Sequence, residues 1–203
     1  MGECSNPNSN EEIMALIARE RQCRVTQRPD DLAACYYEDA TVTTSWTSGS
    51  VGVRQYLTGG KAPVHDPEFP IVSRISYPVV HRKGNRAYAE VPQTTLRWVS
   101  VHGEKAILEC YMRLIYCVEK RGDAWKISDF RSIYESDALR PEIPGTDLHL
   151  DAAALSTLRH AYRYLAYVDD NVSPDLPGID RPETVKAMYA QMEAWLNAAP
   201  PEK

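Results

Sequence analysis

The chain contains no long apolar run. Nothing in its 203 residues approaches the roughly 18 consecutive apolar residues of a membrane-crossing helix. It also lacks a basic run: 23 lysines and arginines are scattered among 28 acidic residues, for a formal net charge of −5. A mildly acidic chain has no general attraction for nucleic acid or anionic lipid, so neither is an expected partner. The five cysteines, Cys4, Cys23, Cys35, Cys110 and Cys117, form no CxxC and no His-paired zinc spacing. Their odd number speaks for a reducing compartment, where each acts as a small buried hydrophobe. The opening MGECSNPNSN is polar, with no apolar leader stretch, and Asn6 stands where a myristoylation signal wants Ser or Thr. A cytoplasmic location is the resulting expectation. No glycine-rich phosphate cradle and no metal-ligand spacing on one helix occurs, so neither cofactor nor metal is expected.

What is present suits one domain with an appendage. With 43% hydrophobic and 25% charged residues, the chain can bury a core without staples. Residues 1–10 read as a disordered tail. A helix then starts near Asn10, with Ile13, Leu16, Ile17, Glu20 and Cys23 as its stripe. Pro29 breaks the pattern; a short helix comes next over residues 31–37, then a turn at Glu38-Asp39. Residues 40–46 are rich in β-branched side chains and read as a strand, and residues 51–57 start another helix. Glycines and prolines punctuate residues 59–70, a loop carrying His65. Long strands are expected over residues 71–81, 86–101, 105–120 and 124–134, joined by hairpin signals at Lys83-Gly84-Asn85, His102-Gly103-Glu104 and Arg121-Gly122-Asp123. Pro92 marks a bulge or an edge. This is an antiparallel meander on a helical lid, an α+β arrangement. Pro141, Pro144 and Gly145 form a linker, and two helices close the chain, over residues 148–168 and 183–197, with Pro182 in the first turn of the second. The parts are a tail (1–10), a domain (11–137) and a helical extension (138–203).

The order of these elements, with Tyr37-Glu38-Asp39-Ala40-Thr41-Val42, Gly52, Tyr56-Leu57, Arg86-Ala87-Tyr88-Ala89-Glu90 and Trp125-Lys126-Ile127, resembles the nuclear transport factor 2-like superfamily, in particular its SnoaL-like branch. Tyr134-Glu135-Ser136-Asp137, Tyr162-Arg163-Tyr164-Leu165 and Asp180-Arg181-Pro182-Glu183 resemble a carboxy-terminal extension found on some SnoaL-like proteins. The resemblance implies a cone: a curved antiparallel sheet wrapped by amino-terminal helices, plus two carboxy-terminal helices. It also implies a small-molecule ligand in the cone and a homodimer formed through the outer sheet face. Members range from cofactor-free isomerases, dehydratases and cyclases to proteins that only bind partners, so fold does not fix function. Related isomerases keep their base four residues beyond the Ala of the Asp-Ala-Thr-Val run. Here that position is Thr44, a poor base. Others place a His at the start of the first long strand, and residues 71–74 have none.

The remaining chemistry must come from the long strands and the Gly/Pro loop. Alternation puts Glu109, Tyr111, Arg113 and Ile115 on one face and Leu108, Cys110, Met112 and Leu114 on the other. Either the apolar set faces the helices, or the polar set points into the cone; alternation alone allows both. Arg131 shares a face with Trp125 and Ile127 by simple alternation, and would need an acidic partner if buried. The candidate catalytic residues are Tyr37, Glu109, Arg131 and His65. Thr44, Trp46, Glu90, Tyr111, Arg113 and Tyr134 are candidates for binding the substrate. Two functions are compatible with these residues: a cofactor-independent lyase or isomerase acting on a small apolar oxygenated metabolite, or a non-catalytic ligand-binding or assembly module.

Overall fold

The computed structural model describes residues 7–45, 47, 49–58, 68–170, 172 and 180–198. Helix α1 (Pro7–Val25) begins inside the stretch expected to be a tail and buries Ile13, Ile17, Glu20 and Cys23 completely. Helix α2 (Pro29–Ala34) starts on Pro29, where a missing N–H costs nothing, and Asp30 and Asp31 face the positive end of its dipole. It ends before the tyrosines, so Tyr36 and Tyr37 open strand β1 (Tyr36–Thr43) and Glu38-Asp39 lie in that strand instead of in a turn. Strand β2 (Val51–Gly52) and helix α3 (Val53–Thr58) come next.

The single strand expected over residues 71–81 is two strands, β3 (Ile71–Ile75) and β4 (Val79–Lys83), both paired with β5 (Arg86–Val101). Pro78, which lacks a backbone donor, lies in the break. Pro92 of β5 sits opposite: its carbonyl accepts from Ser76 N at 2.8 Å, so its own missing donor falls where the ladder is already interrupted. Pro92 therefore needs no bulge, and β5 runs in unbroken register along β6 (Glu104–Arg121). The two-residue turn between them has φ of 50° at His102 and 91° at Gly103, the pair of positive values a tight hairpin requires. Strand β7 (Ala124–Pro141) runs well past its expected end at Tyr134. The sheet order is β2-β1-β7-β6-β5-β3, with β4 also on β5. It is antiparallel except where β1 runs parallel to β7.

Strand β7 carries two one-residue bulges against β6. Cys117 pairs with Asp129 and Val118 with Ile127, leaving Ser128 extra; Tyr111 pairs with Ser136 and Met112 with Tyr134, leaving Glu135 extra. Each extra residue inverts the facing of the side chains beyond it along the strand.

The helix expected over residues 148–168 is broken into α4 (Ala152–Thr157), a 3-10 turn (His160–Tyr162) and α5 (Arg163–Val168). Leu158 and Arg159 are extended, with ψ of 153° and 131°. The Ser156 and Thr157 hydroxyls bond back to the Ala153 and Ala154 carbonyls at 2.7 and 2.8 Å, and the Arg159 guanidinium is held by the Asp180 carboxylate at 2.9 and 3.0 Å. Helix α6 (Pro182–Asn197) forms as expected. The inner face of the sheet packs against α1, α2, α3 and α5 in the main core. Part of the outer face, Tyr88, Ile115, Cys117 and Ile133, is covered by Met188, Met192 and Leu196 of α6. No helix among the described residues is long and apolar enough to cross a membrane.

Candidate functional site

Most of the polar residues expected in the cone lie outside it. On β6 the apolar set wins the inner face: Leu108, Cys110, Met112 and Leu114 are buried in the main core. Glu109, Tyr111 and Arg113 therefore point outward. Tyr111 is 39% exposed and donates to Glu109 at 2.7 Å. Arg113 donates to Glu135 at 2.8 Å, to Tyr189 of α6 at 2.6 Å and to Glu90 at 3.4 Å, so Glu90 is also on the outer face. The bulge at Ser128 explains the misplacement of Arg131: Trp125 and Ile127 face inward, while Asp129 and Arg131 face outward, paired at 2.6 Å. Tyr37 packs outside the cone, on the β6–β7 hairpin. Its hydroxyl accepts from Arg121 N at 2.9 Å, and the Arg121 guanidinium stacks 4.1 Å from its ring. The tyrosine that points into the cone is Tyr36, because β1 starts there. Thr44 and Tyr134 are buried at the inner face, 2% exposed each. His65 and Trp46 lie outside the described residues. The four described cysteines are free and buried; Cys4 lies outside the described residues.

Of the polar groups on the inner side of the sheet, which include the Arg97–Asp169 pair at 3.2 Å, two bear on chemistry. The first is built on α1. Its apolar stripe carries a carboxylate, Glu20, which is fully buried and accepts six hydrogen bonds. Oε1 takes Arg21 Nη2 at 2.7 Å, Arg24 Nη2 at 2.9 Å, Arg24 Nε at 3.2 Å and the Tyr36 hydroxyl at 2.9 Å. Oε2 takes Arg21 Nε and the Tyr116 hydroxyl, the latter at 3.0 Å. Burial alone would raise the carboxyl's pKa, but the charges of Arg21 and Arg24 outweigh it and hold Glu20 at about 2. Burial pushes the Tyr36 and Tyr116 hydroxyls well above their ordinary value, so both stay neutral donors. Arg21 lies over the rings of Tyr116 and Phe130, at 5.8 and 5.2 Å, and reaches Gln93 at 3.4 Å. Gln93 in turn donates to Thr95 at 2.7 Å. A carboxylate so tightly held is a poor base.

The second group sits where the extension meets the sheet. The register sets Gln93, Met112 and Tyr134 side by side, and Thr95, Cys110 and Asp137 in the next row. The Tyr134 hydroxyl is bonded to the Ser45 hydroxyl, and its ring meets Tyr162 edge-on at 5.6 Å. The bulge at Glu135 turns Asp137 inward. Its Oδ2 accepts from the Leu165 amide at 2.7 Å and from the Tyr164 amide, the first-turn donors of α5. Its Oδ1 is buried without a partner. Burial raises Asp137 to about 6, and the two amides, with His160 and Arg163, pull it back only partly. A carboxyl that titrates near neutrality can both give and take a proton. Among the described residues no three His, Cys, Asp or Glu side chains converge as a metal site needs.

Sequence reasoning misses Glu20 as a site although a signal is there. A charged residue within a buried helical stripe must find partners, and arginines stand one and four residues on. Asp137 carries no such signal, because its partners are backbone amides of α5, which no neighbouring residue in the sequence announces.

The model of the SnoaL-like domain family matches residues 8–131. Among curated proteins, a PEP2-like protein of Fusarium vanettenii is 27% identical over 180 residues, which span 82% of this chain and 76% of that protein. Among solved structures, hexachlorocyclohexane dehydrochlorinase (LinA) type 2 superposes with a TM-score of 0.55 at 13% identity, over 68% of this chain and 96% of that one. A candidate scytalone dehydratase from Novosphingobium aromaticivorans gives 0.54 at 16% identity, over 70% of this chain and 96% of that one. At these identities the two structures share the fold alone. Both are covered almost completely by about seven tenths of this chain.

Proposed function

The chain belongs to the SnoaL-like domain family, and from that premise we propose that it is a cofactor-independent enzyme of lyase or isomerase type, acting on a small, apolar, oxygenated molecule. The observation that carries this reading is Asp137: an inward-facing carboxyl held near pH 6, with one buried oxygen unpartnered, one residue row from the Tyr134–Ser45 hydroxyl pair. In this reading Asp137 moves the proton, taking it from a carbon beside a carbonyl or giving it to a leaving hydroxyl. The Tyr134–Ser45 pair supplies the hydrogen bond that stabilises charge developing on the substrate oxygen. Burial raises Tyr134 above its ordinary value, more than the Ser45 bond lowers it, so it remains a donor at neutral pH. A dehydrochlorinase and a candidate dehydratase on the same fold support a lyase-type reaction.

The second reading, a ligand-binding or assembly module, draws on the locked state of Glu20 and on Thr44 standing where a base would be. One experiment separates them. The protein is incubated in D2O with a panel of cyclic ketones, enones and hydroxylated aromatics, and mass spectrometry tracks deuterium uptake and loss of water. Enzyme-dependent exchange that Asp137→Asn abolishes is the expected result. Exchange unaffected by that substitution removes Asp137 from the chemistry, and no exchange on any compound favours the binding module.

A further inference from the structure

The Glu20 group holds more positive charge and more donors than its one carboxylate can satisfy. Arg21 and Arg24 both pair with Glu20, and among the described residues no other carboxylate is bonded to or paired with either guanidinium. The group therefore carries one surplus positive charge in a buried setting, where an unmatched charge is costly. The donor count is in excess as well. A carboxylate offers about four lone-pair sites, and six donors converge on this one, four of them on Oε1. Arg24 also lies between α1 and α3, with its guanidinium 4.9 Å from the centre of the half-buried Tyr56 ring, and retains 17% of its side-chain surface. Tyr56, on α3, is itself packed against the main core.

We propose that the seam beside Arg24 and Tyr56 is the site where an anionic oxygen of the ligand, a carboxylate or a phenolate, is held. Such an oxygen supplies the missing negative charge and shares the donors that now crowd onto Glu20. This names the substrate class for the reading above and rests on it only for the final step; holding the anion needs no turnover.

The test is equilibrium binding at pH 7 of benzoate and 2-naphthoate against their neutral amides, benzamide and 2-naphthamide, by titration calorimetry. The carboxylates are expected to bind roughly tenfold more tightly than the amides, the difference between a charge-assisted hydrogen bond and a neutral one. Arg24→Gln removes the surplus charge while leaving Glu20 its two bonds from Arg21 and its two tyrosines. It should bring the preference to near unity without lowering the melting temperature. Asp137→Asn should leave the preference intact, which separates this proposal from the proton-transfer reading: either can fail while the other stands. Equal affinity for acid and amide, no binding of any of the four, or an Arg24→Gln protein that keeps the preference would overturn it. A large loss of melting temperature in Arg24→Gln would also overturn it, showing that the second arginine is structural.

Discussion

Two carboxyl groups on the inner side of the sheet are held in opposite states. Glu20, on α1, is ringed by donors and stays ionised down to about pH 2. Asp137, on β7, receives only two backbone amides at one oxygen and rises to about 6. Desolvation is the first cause at both; guanidinium charge decides which way the balance falls. The same burial thus makes one group a fixed anion and the other a group that exchanges protons. The outer face offers a third case. Arg113 with Glu90 and Glu135, and Arg131 with Asp129, are partly exposed pairs in which solvent screens most of the interaction.

The comparison can be broken at each of its three points. The largest effect is expected from Glu20→Ala, which strands two buried guanidinium groups. Urea unfolding should show a loss of about 3–5 kcal/mol, and a loss under about 1 kcal/mol would mean that the network holds little of the fold. The pH dependence comes from the depressed pKa. Glu20's contribution is complete above its ordinary value of 4.5 and is lost as pH falls toward about 2. Asp137 has the opposite slope. Its folded pKa lies above the ordinary 3.8, so its contribution is complete below about pH 3.8 and is lost as pH rises through about 6. Asp137→Asn should flatten the stability profile between pH 4 and 6, measured by melting temperature; an unchanged slope there would assign the titration to another group. The smallest effect is expected on the outer face, where Arg113→Ala should cost no more than about 1 kcal/mol. A cost comparable to that of Glu20→Ala would erase the distinction between the two faces.

Much of the fold is legible in the sequence, because it rests on local chemistry. Hairpin glycines mark the turns, β5 has the bounds its alternation implies, and the Pro182 start with the Met188–Met192 stripe identifies α6. The break between β3 and β4 escapes notice because Pro78 is a single residue inside an otherwise strand-like run. The break at Leu158 escapes because an apolar stripe continues across it while Arg159 is anchored from a distance by Asp180. The candidate site is far less legible. Period-two alternation assigns faces only while register is unbroken, and β7 loses it at Ser128 and again at Glu135. Tyr37 and Tyr36 are confused for a similar reason: one residue in the start of β1 exchanges the two rings between core and surface. Tyr134, expected as pocket lining, does lie at the inner face.

The bulges of β7 also bear on how this strand tolerates insertions and deletions. Removing Ser128 alone would restore perfect pairing with β6, a repair by the standards of backbone geometry. It would leave every side chain facing as it does now, because Ile127 stays opposite Val118 and Asp129 opposite Cys117. A deletion at Glu135 would act in the same way, with Tyr134 kept opposite Met112 and Ser136 opposite Tyr111. In related chains, a one-residue gap at either position would therefore preserve the direction of Asp137, whereas a one-residue gap in the regular stretch between them would turn one flank over.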